Sequence, residues 1–257
     1  MNKLIIANWK MNPETIKEAV SMAKEIDSEN LVICPPFTFI AEVSRAVKKS
    51  ILGAQDLFWE DNGAHTGEIS GSQLYSLGVK YVIIGHSERR RHLRETDEMV
   101  AKKVAAALRN GLIPILCVGE TQEERNRNQT QKVVERQLKI GLSLIGNCPP
   151  EADPPLAEKL EIVNLIVAYE PVWAISTSKD SEPDTPENAV QMINFIKKQL
   201  EVNNYKLKID FIYGGSVNAQ TAEKFLKEKE IQGVLVGGAS LKSKEFKKII
   251  DIARKYE

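Results

Sequence analysis

Three chemically capable side chains stand where apolar runs of this sequence end: Lys10 after LIIANW, His86 after YVIIG and Glu170 after NLIVAY. Pro171 follows Glu170 at once, so a strand cannot continue through it as a regular ladder. Beyond it comes a polar stretch with no hydrophobic period, STSKDSEPDTPE. A loop that covered the acid would desolvate it and raise its pKa, which suits a general base working near neutral pH. The bland alternative is a carboxylate that caps a helix or pairs with a surface lysine. His86 lies just ahead of a helix start at Ser87–Glu88. The positive end of that helix disfavours imidazolium, and a neutral ring can still donate a hydrogen bond to a developing oxyanion. A single histidine is otherwise a packing residue. Lys10 must find an anion or reach water along its own stem. Asn8 shares its strand end.

Two glycine pairs, Gly214–Gly215 and Gly237–Gly238, follow the last two apolar runs. Glycine lets backbone N–H groups approach a ligand closely, and in a barrel these two strand ends form the usual phosphate site. Each pair taken alone is a turn.

The elements that must position these groups are legible as periodicities. Short runs rich in β-branched residues recur at 4–9, 31–34, 51–55, 81–85, 112–118, 162–169, 209–213 and 233–237. Their near-continuous hydrophobicity is that of strands covered on both faces. Helical patterns separate them. PETIKEAVSMAKEI puts Ile16, Ala19, Val20, Ala23 and Ile26 on one face, with Asn12 and Pro13 as cap and first turn. TDEMVAKKVAAAL, TQKVVERQLKIGLSLI, PENAVQMINFIKKQL (Thr185 as cap) and SKEFKKIIDIARKY read likewise. The alternation predicts an α/β fold, a (β/α)8 barrel of parallel strands with outer helices, as a single domain over 1–257. A doubly wound sheet is the competitor, but WKMNPET after the first strand lacks its glycine-rich loop. The stretch 146–160 is read as an excursion on the face away from the strand ends.

Composition narrows the partners. In 257 residues, 35 basic and 35 acidic side chains cancel, which argues against nucleic acid or an anionic membrane as the main partner. LIIANW is too short for an export signal, and no apolar run approaches membrane-spanning length. Cys34 and Cys117 end apolar runs and read as reduced, buried thiols, while Cys148 falls in a proline-rich loop. A soluble cytoplasmic protein is expected.

Seven segments in order, NWKMN (8–12), AQD with GAHTGEIS (54–56, 63–70), GHSERR (85–90), LIPILCVGET (112–121), AYEPVWAI (168–175), YGGSV (213–217) and GGASL (237–241), give the chain a close resemblance to the triosephosphate isomerase family. The resemblance implies interconversion of dihydroxyacetone phosphate and glyceraldehyde 3-phosphate in glycolysis and gluconeogenesis, with no metal or cofactor. By matching motif it makes Glu170 the base, His86 the electrophile and Lys10 the positive charge, with Asn8 beside it. It gives the phosphate to Ser216, Gly237, Gly238 and the backbone N–H of Ser176. It also implies a homodimer in which the loop around Thr66–Gly67–Glu68 inserts near Asn8–Met11 of the neighbour. Phe58 and Trp59 make that loop too apolar for an idle turn.

The chain departs from the family where AIGTGK is usual: it reads AISTSK, with Ser176 and Ser178 for glycines and a longer DSEPD run. Two further readings stand beside isomerisation: a Schiff-base aldolase on the same fold using Lys10, and, because of this altered lid, a catalytically weak or silent barrel that binds phosphate ligands.

Overall fold

In the computed structural model, residues 2–145, 163–175, 183–202 and 207–256 are described. Parallel strands β1 Leu4–Asn8, β2 Leu31–Cys34, β3 Ile51–Ala54, β4 Val79–Ile84, β5 Ile113–Val118, β6 Val163–Tyr169, β7 Leu207–Tyr213 and β8 Gly233–Val236 close into a barrel. Each pairs with the next, and Ile5 of β1 meets Val234 of β8. That last pairing excludes the open doubly wound sheet. Around it lie α1 Ile16–Ile26, α2 Ile40–Ala46, α3 Gly71–Ser76, α4 Ser87–Leu93, α5 Asp97–Arg109, α6 Gln122–Asn126, α7 Thr130–Gly141, α8 Pro186–Val202, α9 Ala222–Leu226 and α10 Ser243–Ala253. No helix among the described residues is long and apolar enough to cross a membrane.

Strand side chains alternate between two cores. Ile6, Val32, Ile83, Ile115, Ile166, Ala168, Ile212 and Leu235 fill the barrel interior. Ile5, Ala7, Leu165, Val167, Tyr169, Tyr213, Val234 and Val236 face the helices. The period of two then sets which residue points inward beyond each strand. Ile6 leads to Asn8 and Lys10, Ala168 to Glu170, Ile212 to Gly214 and Leu235 to Gly237, all on the inner side. Cys34 and Cys117 are buried and free, as expected, and Cys148 lies outside the described residues.

Two details of the sequence reading are corrected. Helix α1 is capped by Thr15, not by Asn12: Thr15 and Glu18 form a reciprocal capping box. Ile16, assigned to the buried face, is the first residue of the helix and is 51% exposed. Thr185 does cap α8, accepting from Asn188 N at 3.2 Å.

A buried ionic cluster ties the α4–α5 corner to the end of β3. Lys103 Nζ donates to Asp56 at 2.7 and 2.8 Å and to Glu95, while Arg89 reaches Asp56 at 2.7 Å and Glu95 at 3.2 Å. Burial raises the Asp56 carboxyl to about 6 against the pull of Lys103 and Arg89. Removing the ammonium leaves two buried carboxylates with one cation between them. Lys103→Met is therefore expected to cost about 3–5 kcal/mol of unfolding free energy. Urea unfolding reads this directly, and an unchanged midpoint would show that the cluster adds nothing.

Candidate active site

Asn8, Lys10, His86 and Glu170 come together in one cavity of about 390 Å³ at the C-terminal mouth of the barrel, with Gly214–Ser216 and Gly237–Gly238 on its other wall. Every described site residue predicted from the sequence lines this cavity. Ser176 and Ser178 lie outside the described residues, as does most of the polar stretch after Ile175. A larger cavity, about 560 Å³, lies on the other side of Glu170 and Ser87, but neither Lys10 nor His86 reaches it. Lys10, His86 and Glu170 meet in the smaller one.

Glu170 is held firmly. Its N–H continues the ladder to Val118 O at 2.8 Å, and its side chain is almost wholly buried. Oε1 accepts from His86 Nε2 at 2.8 Å and Oε2 from Ser87 N at 3.0 Å. Burial pushes its pKa up. The His86 imidazole, then the Ser87 N–H and Lys10, pull it further down, and the balance lies below the ordinary carboxylate value. The expected upward shift is thus overturned here, because the acid gains charge-assisted partners as it loses water.

His86 is the N-cap of α4, and its Nδ1 accepts the Glu88 N–H at 3.2 Å. A ring that accepts at Nδ1 carries its proton at Nε2, aimed at Glu170. Burial favours the neutral ring, but Glu170, with a smaller push from Glu88, raises its pKa above the usual imidazole value. The neighbouring carboxylate, not the helix end, dominates. The two groups form one coupled pair, a proton acceptor beside a hydrogen-bond donor.

Lys10 holds its place under backbone strain: its φ is 54°, a region non-glycine residues rarely occupy. Two side chains keep it there. Asn8 Oδ1 accepts from Lys10 N at 3.0 Å, and Gln55 Nε2 donates to Lys10 O at 2.8 Å. Such strain persists only where neighbours over-determine it. The ammonium is thereby pointed into the cavity, where Glu88 pairs with it. Gly237 packs against this stem; a Cβ there would lie 3.1 Å from Lys10 Cε. Gln55, Ser87 and Glu88 were missed as functional residues, although all three lie within the motifs AQD and GHSERR.

As expected, the loop after β3 is not an idle turn. Phe58 and Trp59 pack against each other, tilted by 30° with centroids 4.2 Å apart, Phe58 also meets His65, and Lys102 lies over Trp59. Both rings thus have contacts within the protomer and remain partly exposed. The exposed part is the tip, including Thr66, Gly67 and Glu68, and beyond it Met11, which is 91% exposed. Among the described residues no group of His, Cys, Asp and Glu is arranged to hold a metal ion.

Residues 3–253 match the family model described as triosephosphate isomerase. A triosephosphate isomerase of Dictyoglomus thermophilum is 42% identical over 256 residues, covering 96% of this chain and 98% of that protein. One from Clostridium botulinum (strain Langeland) is likewise 42% identical over 256 residues, with the same two shares. One from Aquifex aeolicus is 42% identical over 261 residues, 97% of this chain and 99% of its own.

Proposed function

The chain belongs to the triosephosphate isomerase family and interconverts dihydroxyacetone phosphate and D-glyceraldehyde 3-phosphate, and from that premise we propose that Glu170, His86 and Lys10 carry the reaction. The observation that bears most weight is the 2.8 Å contact between Glu170 and His86 Nε2, in a cavity that Lys10 also enters. Glu170 takes a proton from the carbon beside the carbonyl. As charge develops on oxygen, His86 Nε2–H donates to it and the Lys10 ammonium offsets it, leaving an enediolate. The substrate oxygen takes the position at Nε2 that the carboxylate holds in the free enzyme. Glu170 is thereby released toward carbon with one hydrogen bond fewer and becomes a stronger base. Return of the proton to the adjacent carbon, with the hydroxyl proton passing from one enediolate oxygen to the other, completes the isomerisation. Backbone at Gly237, Gly238 and Ser216 holds the phosphate, together with Ser176.

An aldolase using Lys10 is poorly supported. A Schiff-base lysine wants apolar walls, and this ammonium is paired with Glu88 in a polar mouth. The silent-barrel reading rested on Ser176 and Ser178, while the reacting trio is intact. A coupled isomerase assay on the purified chain tests the assignment; turnover at background would overturn it.

The reading extends to a cytoplasmic enzyme of glycolysis and gluconeogenesis, acting as a homodimer. Support for the dimer comes from the exposed Met11 beside the strained Lys10 and from the exposed loop tip at Thr66–Gly67–Glu68. A contact between that tip and the Asn8–Met11 region of a neighbour, and the reverse, requires two-fold symmetry. Sedimentation at micromolar concentration is expected to show a dimer, and a monomer alone would end this part of the proposal.

A further inference from the structure

The backbone that carries Glu170 leans on Gly119, the residue that follows β5. A Cβ at Gly119 would lie 2.0 Å from Glu170 O and 2.6 Å from its carbonyl carbon, so only glycine fits there. The contact is backbone against backbone, and a shift of one peptide reaches the other. On either side of Gly119 the chain is bonded to the segment that holds the base. Val118 O accepts from Glu170 N at 2.8 Å, and Glu120 O accepts from Val172 N at 3.0 Å. Where Gly119 sits therefore decides where the base sits.

Gly119 lies beyond the regular pairing of β5 with β4. The last paired residues are Ile84 and Leu116, and the chain of β4 then turns away into α4 through Gly85, whose φ is 71°. Peptide groups past the end of a ladder must find other partners or water. Gln137, buried on α7, meets both groups of Gly119. Its Oε1 accepts from Gly119 N at 2.8 Å, and its Nε2 donates to Gly119 O at 3.1 Å. One side-chain amide thus takes the place of a neighbouring strand. Val118, Gly119, Gln137 and Glu170 all border the cavity of about 560 Å³, so on this side the peptide is fixed by these hydrogen bonds rather than by close-packed side chains.

We propose that Gln137 is a positioning residue for the base: by holding the Gly119 peptide it sets the place of the Glu170 backbone, and with it the reach of the carboxylate toward substrate carbon. The proposal rests on the reading of Glu170 as base. A glutamine that merely satisfied a buried loop would affect stability and leave the kinetics unchanged.

Gln137→Met tests this, since it keeps the length of the side chain and removes both bonds. Left unpaired, the Gly119 N–H and C=O move to find partners and carry Glu170 with them. In the purified chain, kcat for D-glyceraldehyde 3-phosphate is expected to fall on the order of tenfold, short of the roughly hundredfold loss that goes with about 1 Å of misplacement. KM and the inhibition constant of inorganic phosphate should stay within about twofold, because Lys10, Gly237 and Gly238 stand apart from Gly119. Combined with Glu170→Asp, the substitution should lower kcat by less than the product of the two single losses, since both act on the position of one carboxylate. Gly119→Ala presses on the same carbonyl with Gln137 in place. It should show the same loss confined to kcat, and it keeps the test open where Gln137→Met does not fold. A folded Gln137→Met or Gly119→Ala with wild-type kcat, or losses that simply multiply, would overturn the role of Gln137 while leaving Glu170 as base. An unchanged kcat in Glu170→Asp would instead remove the base reading, and the proposal with it.

Discussion

Glu170→Asp is expected to lower kcat by on the order of a hundredfold while KM moves by no more than a few-fold. The physical reason is rigidity. The backbone of Glu170 is fixed by its bond to Val118 O and by Pro171, and the cavity wall cannot follow a shortened side chain. Losing one methylene withdraws the carboxylate by roughly 1 Å, and misplacement on that scale costs about this much when geometry sets the barrier. The groups proposed to bind the substrate, Lys10 and the glycine turns, are untouched. Steady-state kinetics separates the two parameters, and an unchanged turnover number would remove Glu170 from the role of base.

His86→Asn should be the second large loss, in kcat by roughly 10²–10³-fold, as for other side-chain donors to a developing oxyanion. A companion effect carries a definite sign. In the wild type, His86 is the foremost of the groups that hold the pKa of Glu170 below the ordinary carboxylate value against burial. Without the imidazole, burial prevails and the pKa rises. The acid limb of kcat/KM assigned to Glu170 should therefore move to higher pH in the variant. Stability obeys the same linkage. The depressed Glu170 contributes stability above its unfolded pKa and loses it as the pH falls through the folded one. The raised His86 contributes below its unfolded pKa and loses it as the pH rises through its folded one. A kcat/KM profile with its acid limb unmoved would break the coupling between the two groups.

The positions of the reacting groups were readable because strands alternate. Once an apolar run is known to line a barrel, the inward residue beyond its last turn is fixed, and Lys10 and Glu170 are placed by it. Long-range partners were not readable in this way. Gln55, after β3, and Glu88, in the first turn of α4, act on Lys10 from 45 and 78 residues away in the chain, so no local period reports them. The direction of the Glu170 shift failed for a related reason: burial was inferred from its loop, but the compensating His86 and Ser87 lie more than eighty residues earlier. Phe58 and Trp59 were correctly seen as too apolar for open solvent, but composition cannot say whether the same chain or a partner covers them.

The fate of the transferred proton tests the role of Glu170 most directly. When D-glyceraldehyde 3-phosphate is turned over by the purified chain in deuterium oxide, proton abstraction by a carboxylate exposes that proton to exchange before it is returned. Deuterium should then appear in the dihydroxyacetone phosphate at the carbon that receives the proton, and this product should form only at background rate with Glu170→Gln. Brisk turnover with no deuterium in the product, or full turnover by Glu170→Gln, would contradict abstraction by this carboxylate.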